Sequence, residues 1–192
     1  MTGLDPSFIA DLRGANLLQD GHFAFRSGRH TAGLVDRDRL LAHPGSASHL
    51  GYILAKQFFS EHIDTVATPS IWGAGLAQWI GYFLEPRAKV VYATPSKGGV
   101  SISPNLTAEI TGRRVLLVDN LVMSGETMTA FAKMIDGMDA TVVGVATLWN
   151  LAEPEIELHP VTSVLNAVFP AVRADACPLC RAGGAEPVAL PY

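Results

Sequence analysis

The stretch that decides the fold is residues 113–129, which read RRVLLVDNLVMSGETMT. Four consecutive apolar residues, 115–118, predict a buried strand. An acid, Asp119, follows this strand, and a short turn with Ser124 and Gly125 then opens a helical pattern. This order directs free backbone N–H groups and the positive end of a helix at one place. The stretch therefore predicts a phosphate-binding turn, with Asp119 close enough to reach sugar hydroxyls or a bound divalent cation.

Composition and charge describe a packed globular protein. The chain of 192 residues is 48% hydrophobic and 17% charged, which suits one α/β domain with a small appendage. A net charge of −4 gives no broad attraction to nucleic acid or anionic membranes, so any anion site must be local. The N-terminal residues lack the apolar core of a signal peptide, and the most apolar stretch, residues 74–84, is far shorter than the roughly 20 residues that span a bilayer. We expect a cytoplasmic protein without nucleic-acid or membrane partners.

Alternating helix and strand patterns predict the architecture. Strands that alternate with helices form parallel sheets covered by helices, and such sheets bind ligands at the carboxyl ends of their strands. The loop at residues 94–112 is rich in Gly, Ser, Thr, Pro and Asn, and a loop of that length in a compact domain is typically functional or mobile. The other expected elements are helices over residues 4–18, 46–61 and 74–84 and strands over residues 65–68, 89–93 and 141–148.

Four segments in this order resemble the type I phosphoribosyltransferases, and most closely the orotate phosphoribosyltransferases. The stretch around Asp119 is similar to the family's loop for phosphoribosyl pyrophosphate (PRPP). Residues 25–29, which read FRSGR, resemble an N-terminal motif of the orotate enzymes. Residues 68–77 stand where the family has its pyrophosphate-contacting turn, and residues 94–112 stand where it has a flexible catalytic loop. The resemblance covers roughly residues 12–148 and implies an α/β fold, in which helices flank a central parallel sheet.

The expected domain organisation has two parts. Residues 1–160 are predicted to form the phosphoribosyltransferase-like domain, with a small N-terminal hood over about residues 1–45. Residues 161–192 are predicted to form an irregular C-terminal tail that carries the Cys-x-x-Cys pair, Cys177 and Cys180.

The resemblance also implies roles for individual residues. Asp119 would hold the ribose hydroxyls of PRPP, directly or through Mg²⁺, and would share the catalytic role with Lys97 of the long loop. Lys97 would close over the leaving pyrophosphate and exclude water. Arg26 and Arg29 would add positive charge near the base or the diphosphate. The residues expected to bind PRPP are Ser70, Trp72, Gly73, Asp119, Asn120, Met123, Ser124, Gly125, Glu126 and Thr127.

Four positions depart from the family's pattern. Asn120 stands where the family usually has a second acid, and Met123 replaces a Thr in the turn. Glu126 replaces a small residue, and its carboxylate would compete with the 5-phosphate for the helix N-terminus unless it points to solvent. Asn150 stands near the position of an Arg that pairs with the orotate carboxylate, and losing a bidentate Arg weakens such binding.

The resemblance and the departures from it leave two functions open. The first is a homodimeric, Mg²⁺-dependent phosphoribosyltransferase that joins orotate or a related nitrogenous base to PRPP and releases pyrophosphate. The alternative is a non-catalytic protein of the same fold that binds a phosphorylated sugar or nucleotide as a regulator.

The cysteine pair has the spacing of half a zinc site. Two further ligands are needed, and the nearest candidate in the sequence, His159, does not have the spacing from the cysteines that is typical of a zinc site. Zinc bound within the chain, zinc completed by a partner chain, and no metal all stay open. The remaining histidines considered show no ligand spacing and are expected at the surface or in helix caps. The tryptophans are expected in the core or an interface, with a place near the ligand left open for Trp72 because it stands in the pyrophosphate turn. These residues are His22, His30, His43, His49, Trp72, Trp79 and Trp149.

Overall fold

The computed structural model describes residues 6–151, 155–156, 159–166 and 168–191. The α-helices are α1 (Pro6–Gly14), α2 (Arg37–Ala42), α3 (Pro44–Lys56), α4 (Ala74–Phe83), α5 (Glu126–Asp136) and α6 (Pro178–Arg181). The strands are β1 (Leu18–Ala24), β2 (Arg29–Val35), β3 (Thr65–Thr68), β4 (Lys89–Tyr92), β5 (Thr94–Ser96), β6 (Gly99–Ser101), β7 (Arg114–Val122), β8 (Thr141–Asn150), β9 (Glu155–Ile156), β10 (His159–Asn166), β11 (Val172–Arg173) and β12 (Val188–Ala189).

A central sheet with the order β4-β3-β7-β8-β10-β9 carries the fold. Its first five strands are parallel, and the short β9 runs antiparallel to β10. The predicted buried strand at residues 115–118 lies inside β7, in the middle of the sheet, and all four of its residues have no exposed surface. Helices cover both faces of the sheet, so the expected α/β architecture with a central parallel sheet is confirmed.

The side chains of β7 alternate between two hydrophobic cores, as the period of a strand requires. Leu116 and Val118 pack in the core that contains the buried residues of α3 and α4. Val115 and Leu117 pack on the opposite face, in the core that contains Phe131 and the other buried residues of α5. The two cores clamp β7 from both sides and hold its carboxyl end in a defined place.

β7 extends past its neighbour β3, and this offset creates room for a site. β3 pairs with β7 only as far as Leu117 and ends at Thr68, whereas β8 pairs with β7 up to Val122. Asp119 and Asn120 therefore lie on β7 beyond the end of β3. They face the segment that follows β3, which forms a 3-10 turn at Ile71–Gly73.

The predicted boundary at residue 160 is wrong. Strand β10 crosses it and pairs in parallel with β8, so the central sheet continues to Asn166. The sequence of this strand conceals it, because polar residues interrupt the apolar pattern. Ser163 is buried among them, and its hydroxyl donates to the carbonyl of Leu148 at 3.3 Å.

The tail is also less irregular than predicted, because it completes the hood. The hood is an antiparallel hairpin of β1 and β2, and two tail strands extend it to the order β11-β2-β1-β12. Val172 pairs with His30 at one edge, and Val188 pairs with Phe23 at the other. Each of these tail strands has only two residues, so backbone pairing alone holds the tail weakly.

The expected long loop at residues 94–112 contains regular structure. It begins with a β5–β6 hairpin in which Ser96 pairs with Gly99, and a 3-10 turn at Pro104–Glu109 follows. Ile110 is fully buried and anchors the end of the segment. Over the described part of the chain, every helix is too short or too polar to cross a membrane.

Candidate active site

A cavity of about 600 Å³ lies at the carboxyl end of β7. Its walls come from the β7–α5 turn, the segment after β3, the start of α2, the turn of the hood hairpin and the end of the tail. Nine residues predicted from the sequence line this cavity: Arg26, Ser70, Trp72, Asp119, Asn120, Met123, Ser124, Gly125 and Thr127.

The turn between β7 and α5 forms the floor of the cavity. Gly125 is the N-cap of α5 and has a φ of 80°, a left-handed conformation that glycine adopts without steric cost. The N–H groups in the first turn of a helix have no intrahelical acceptor, and they lie at the positive end of the helix dipole. The side chains of Ser124 and Thr127 add hydroxyls to the same wall. This wall can bind a phosphate group.

Glu126 does not enter the cavity, although it was predicted to bind PRPP. It is the first residue of α5, its side chain is exposed, and it does not contribute to the lining. The competition that its carboxylate would create for the phosphate position is therefore relieved by its orientation.

Asp119 is a perturbed carboxylate on the wall of the cavity. Burial raises its pKa to about 6, and three smaller effects oppose that rise. The backbone N–H of Asn120 donates to its Oδ1 at 2.7 Å, Arg37 attracts its negative charge, and the N–H of Leu121 also contributes. A desolvated carboxylate held in this way gains from a cation or hydroxyl donors that arrive with a ligand.

Asn120 links the end of β7 to the segment after β3. Its Nδ2 donates to the carbonyl of Trp72 at 2.7 Å, and its side chain is almost fully buried. Its Oδ1 is also buried and makes no hydrogen bond to the described residues. A buried oxygen without a hydrogen-bond partner is costly, and it belongs to a side chain that lines the cavity.

Trp72 is the most exposed of the large apolar side chains described, at 80%, and it stands at the cavity rather than in the core. Of the places expected for Trp72, the structure excludes the core, and Trp149 is fully buried as expected. Gly73, next along the chain, does not line the cavity. A Cβ there would lie 2.1 Å from the Thr68 Oγ1, so glycine allows the segment to turn tightly beneath Trp72.

The hood covers the cavity from above. Arg26 lines the cavity, and the neighbouring Ser27 hydroxyl lies 3.2 Å from the sulfur of Met123. Arg29 does not line it, contrary to the prediction. The Arg29 Nη1 donates to the carbonyl of Ala171 at 3.3 Å, so this side chain fastens the tail to the hood.

The sequence analysis missed Arg37, Asp38 and Pro191, which also line the cavity. Arg37 and Asp38 form the first turn of α2, whose N-cap Asp36 accepts from the N–H of Arg39 at 3.0 Å. The charged run from Asp36 to Arg39 was the available signal, because Asp before a charged and then apolar run is typical of a helix start. Pro191 gave no signal in the sequence.

Lys97 lies outside the cavity. It occupies the two-residue turn of the β5–β6 hairpin with Gly98, and its side chain is exposed. Any contact of Lys97 with a ligand therefore requires the hairpin to move.

A second group of polar side chains lies at the hood. Two histidines of β1 and β2 meet the cysteine pair of the tail: His22, His30, Cys177 and Cys180. The expectation that His22 and His30 lie at the surface or in helix caps is wrong, because both are half-buried against the cysteines. His159 does not belong to this group, and its Nε2 lies 3.7 Å from the Asp136 carboxylate.

A glycine turn and a helix N-terminus at the carboxyl edge of a parallel sheet define an α/β protein that binds a phosphorylated ligand. The chain belongs to the phosphoribosyl transferase domain family, whose model matches residues 36–172. The expected resemblance and the type I phosphoribosyltransferase-like fold are confirmed.

The relatives and solved structures agree on this family. The chain is 31% identical to an orotate phosphoribosyltransferase of Thermus thermophilus over 89% of this chain and 93% of that protein. It is 25% identical to an orotate phosphoribosyltransferase of Caldicellulosiruptor bescii over 92% of each. Among solved structures, the orotate phosphoribosyltransferase of Mycobacterium tuberculosis has a TM-score of 0.65 at 20% identity, over 84% of this chain and 95% of that one. This last similarity concerns the fold.

Proposed function

We propose that this protein is an Mg²⁺-dependent phosphoribosyltransferase that joins orotate or a related base to PRPP and releases pyrophosphate. The observation that carries the proposal is the placement of Asp119 and the Gly125 turn on one cavity. A carboxylate for the ribose and a helix N-terminus for the 5-phosphate are the two features that PRPP requires. The names of the relatives support orotate as the first base to test.

The substrate would lie along the cavity from the turn to the segment after β3. The 5-phosphate would contact the backbone of the Gly125 turn and the hydroxyls of Ser124 and Thr127. Asp119 would accept hydrogen bonds from the ribose hydroxyls, and the neighbouring Asn120 would contact the same sugar. The diphosphate would then lie near Ser70 and Trp72.

The residues of the cavity suit Mg²⁺. Asp38 and Asp119 both line it, and Mg²⁺ is bound in proteins by one or two carboxylates together with substrate phosphates. When bound with PRPP, Mg²⁺ would offset the charge of the leaving diphosphate. Arg26 and Arg37 would add to this stabilisation, which favours departure of the diphosphate from C1.

We propose that Lys97, in the turn of the β5–β6 hairpin, stabilises the charge of the leaving diphosphate. It would reach the diphosphate when the β5–β6 hairpin closes over the filled cavity, which would also exclude water from the reacting carbon. Two glycines at the hairpin turn, Gly98 and Gly99, have φ angles of 94° and 148°, so the turn has the conformational freedom that closure needs.

A homodimer is proposed from the family and from an exposed aromatic surface on α3 and α4. Tyr52 on α3, Phe59 just after α3 and Tyr82 on α4 are 43%, 45% and 50% exposed. The Tyr52 ring contacts the ring of Phe59 directly and reaches that of Tyr82 through Phe83. A contiguous exposed apolar patch of this kind marks a protein interaction site. We expect light scattering to give a dimer and Tyr82→Asp to give a monomer, with Tyr92→Asp on β4 as a control. A wild-type monomer would contradict the proposal.

A cytoplasmic location remains our expectation.

The test is turnover with PRPP and Mg²⁺ against orotate and a panel of uncharged bases, measured as pyrophosphate release. The proposal expects release that depends on the base and is greatest with orotate. PRPP binding in calorimetry without release for any base would support the non-catalytic alternative, in which the protein senses a phosphorylated sugar. Absence of PRPP binding at millimolar concentration would refute the enzyme proposal.

A further inference from the structure

Four side chains with metal-binding atoms converge at the junction of the hood and the tail. His22 lies on β1, His30 on β2, and Cys177 and Cys180 flank the first turn of α6. One ligand atom from each residue lies within 4.8 Å of the other three. The residues come from two segments more than 140 positions apart, so the fold rather than local spacing assembles the group.

The separations match the edges of a zinc tetrahedron. With Zn–N of about 2.0 Å and Zn–S of about 2.3 Å, a regular tetrahedron has N···N edges of about 3.3 Å and N···S edges of about 3.5 Å. The His22 Nε2 lies 3.1 Å from the His30 Nδ1. The Cys180 sulfur lies 3.5 Å from the His22 Nε2 and 3.2 Å from the His30 Nδ1, and the Cys177 sulfur lies 3.5 Å from the His22 Nε2.

The protonation states of the histidine and cysteine ligands are compatible with metal binding. The His22 Nδ1 lies 2.8 Å from the carbonyl of Ala185, so it carries the proton and leaves the lone pair of Nε2 directed at the other three ligands. Metal-binding histidines commonly have such a carbonyl partner, which fixes the tautomer and the ring. Both cysteines are free thiols, so they can lose their protons to a metal.

We propose that His22, His30, Cys177 and Cys180 bind one structural zinc ion. Two nitrogen and two sulfur ligands in tetrahedral arrangement favour zinc, and four protein ligands leave no open position for substrate. None of the four is among the described residues that line the active-site cavity. The site is therefore structural and does not depend on the proposed reaction.

The zinc ion holds the tail against the hood. The tail strands β11 and β12 pair with β2 and β1 through two residues each, and Val188 of β12 is 61% exposed, so the two strands themselves hold the tail weakly. Beyond β12 the Leu190 N–H donates to the carbonyl of Ala24 at 2.8 Å, and Pro191 reaches the cavity. By joining two hood strands to the tail between its strands, the metal fixes both the hood and this wall of the cavity.

Metal content of the full-length protein tests the proposal. The protein is purified, stripped with a chelator, dialysed against zinc and then against metal-free buffer. We expect about one zinc per chain by elemental analysis, as a closed four-ligand site requires. His22→Asn and the double variant Cys177→Ser/Cys180→Ser should lose it. His62→Asn is the matched control, because His62 is exposed and has a φ of 49°, which Asn tolerates.

Cobalt substitution of the wild-type protein tests the ligand set without any variant. We expect the intense visible absorption of tetrahedral Co²⁺ and a thiolate-to-metal charge-transfer band that the double cysteine variant lacks. Removing zinc should also lower the Tm of the wild type but leave that of His22→Asn unchanged. A wild-type protein that retains no zinc, a Co²⁺ spectrum without thiolate bands, or zinc retained by the cysteine variant would each overturn the proposal.

Discussion

Replacing Asp119 by Asn should make the protein more stable while weakening its binding of PRPP. The carboxylate is charged in a buried position, and burial raises its pKa from 3.8 to about 6. Asn has nearly the same shape and can accept the same hydrogen bond from the Asn120 N–H, but it carries no charge that needs solvation. The change therefore removes a cost of folding and at the same time removes the group proposed to hold the ribose.

The size of the gain follows from the shift in pKa. One pKa unit corresponds to about 1.36 kcal/mol, so a shift from 3.8 to about 6 corresponds to about 3 kcal/mol. Since solvent reaches part of the Asp119 side chain, we expect a gain of about 1 to 3 kcal/mol in the free energy of unfolding at pH 8.

The pH dependence gives this prediction a second readout. A carboxyl pKa that is higher in the folded state means that the folded protein binds more protons between about pH 4 and 6. The stability contribution of wild-type Asp119 therefore decreases as the pH rises through this window. Asp119→Asn lacks this term, so its advantage should be largest above about pH 6 and shrink toward pH 4.

The assay is urea denaturation followed by tryptophan fluorescence at several pH values, with calorimetry of PRPP and Mg²⁺ at pH 8. Asp139→Asn is the control, because Asp139 is exposed in the turn after α5 and has a φ of 59° that Asn accepts. Loss of a charged hydrogen-bonding partner costs about 1.5–3 kcal/mol, so PRPP affinity should fall at least about tenfold. A variant that is less stable than the wild type at pH 8, or that binds PRPP equally well, would refute the reasoning.

Three further substitutions test the proposed site. Lys97→Ala should lower kcat by at least about tenfold with little change in PRPP affinity, while Lys133→Ala on the exposed side of α5 should change neither; equal kcat values would remove Lys97 from the mechanism. Arg26→Ala should lower kcat several-fold with orotate and with uncharged bases alike, because Arg26 is proposed to stabilise the leaving diphosphate, while Arg29→Ala, whose side chain binds the tail, should leave kcat unchanged; a wild-type kcat for Arg26→Ala would remove Arg26 from this role. Gly125→Ala should lower stability by about 1–2 kcal/mol because of its left-handed backbone and should weaken PRPP binding; unchanged binding would show that the turn does not hold the phosphate.

The sequence predicted the centre of the fold well because the signals there are local. An unbroken apolar run such as residues 115–118, bounded by charged residues and a small-residue turn, is typical of a strand covered on both faces, and the residues directly after such a strand stand at the carboxyl edge of the sheet. Six of the nine predicted residues that line the cavity, between Asp119 and Thr127, follow this strand directly. Strand β10 was missed because Ser163 and its polar neighbours break the apolar pattern, although the sheet provides the partners that bury them.

The failures at Arg29 and Glu126 have a different cause. Both residues lie beside true cavity residues in the chain, and the sequence does not reveal which way a side chain points. Arg29 is on a strand and projects to the tail, whereas Arg26 lies in the hairpin turn and projects to the cavity. A shift of three positions along this hairpin separates a residue that lines the cavity from one that holds the tail.

The four potential metal ligands, His22, His30, Cys177 and Cys180, were also not predicted as a group, because they are far apart in the sequence. Two cysteines three positions apart gave half of a site, and the missing half lay on a hairpin near the opposite end of the chain, where two histidines eight positions apart match no ligand spacing. Strand geometry explains the match, because His22 and His30 lie on adjacent antiparallel strands. The tail was predicted to be an appendage, but it supplies both edges of the hood, half of the proposed zinc site and one wall of the cavity. One wall of the proposed active-site cavity therefore includes Pro191, which lies beyond the residues that the family model matches.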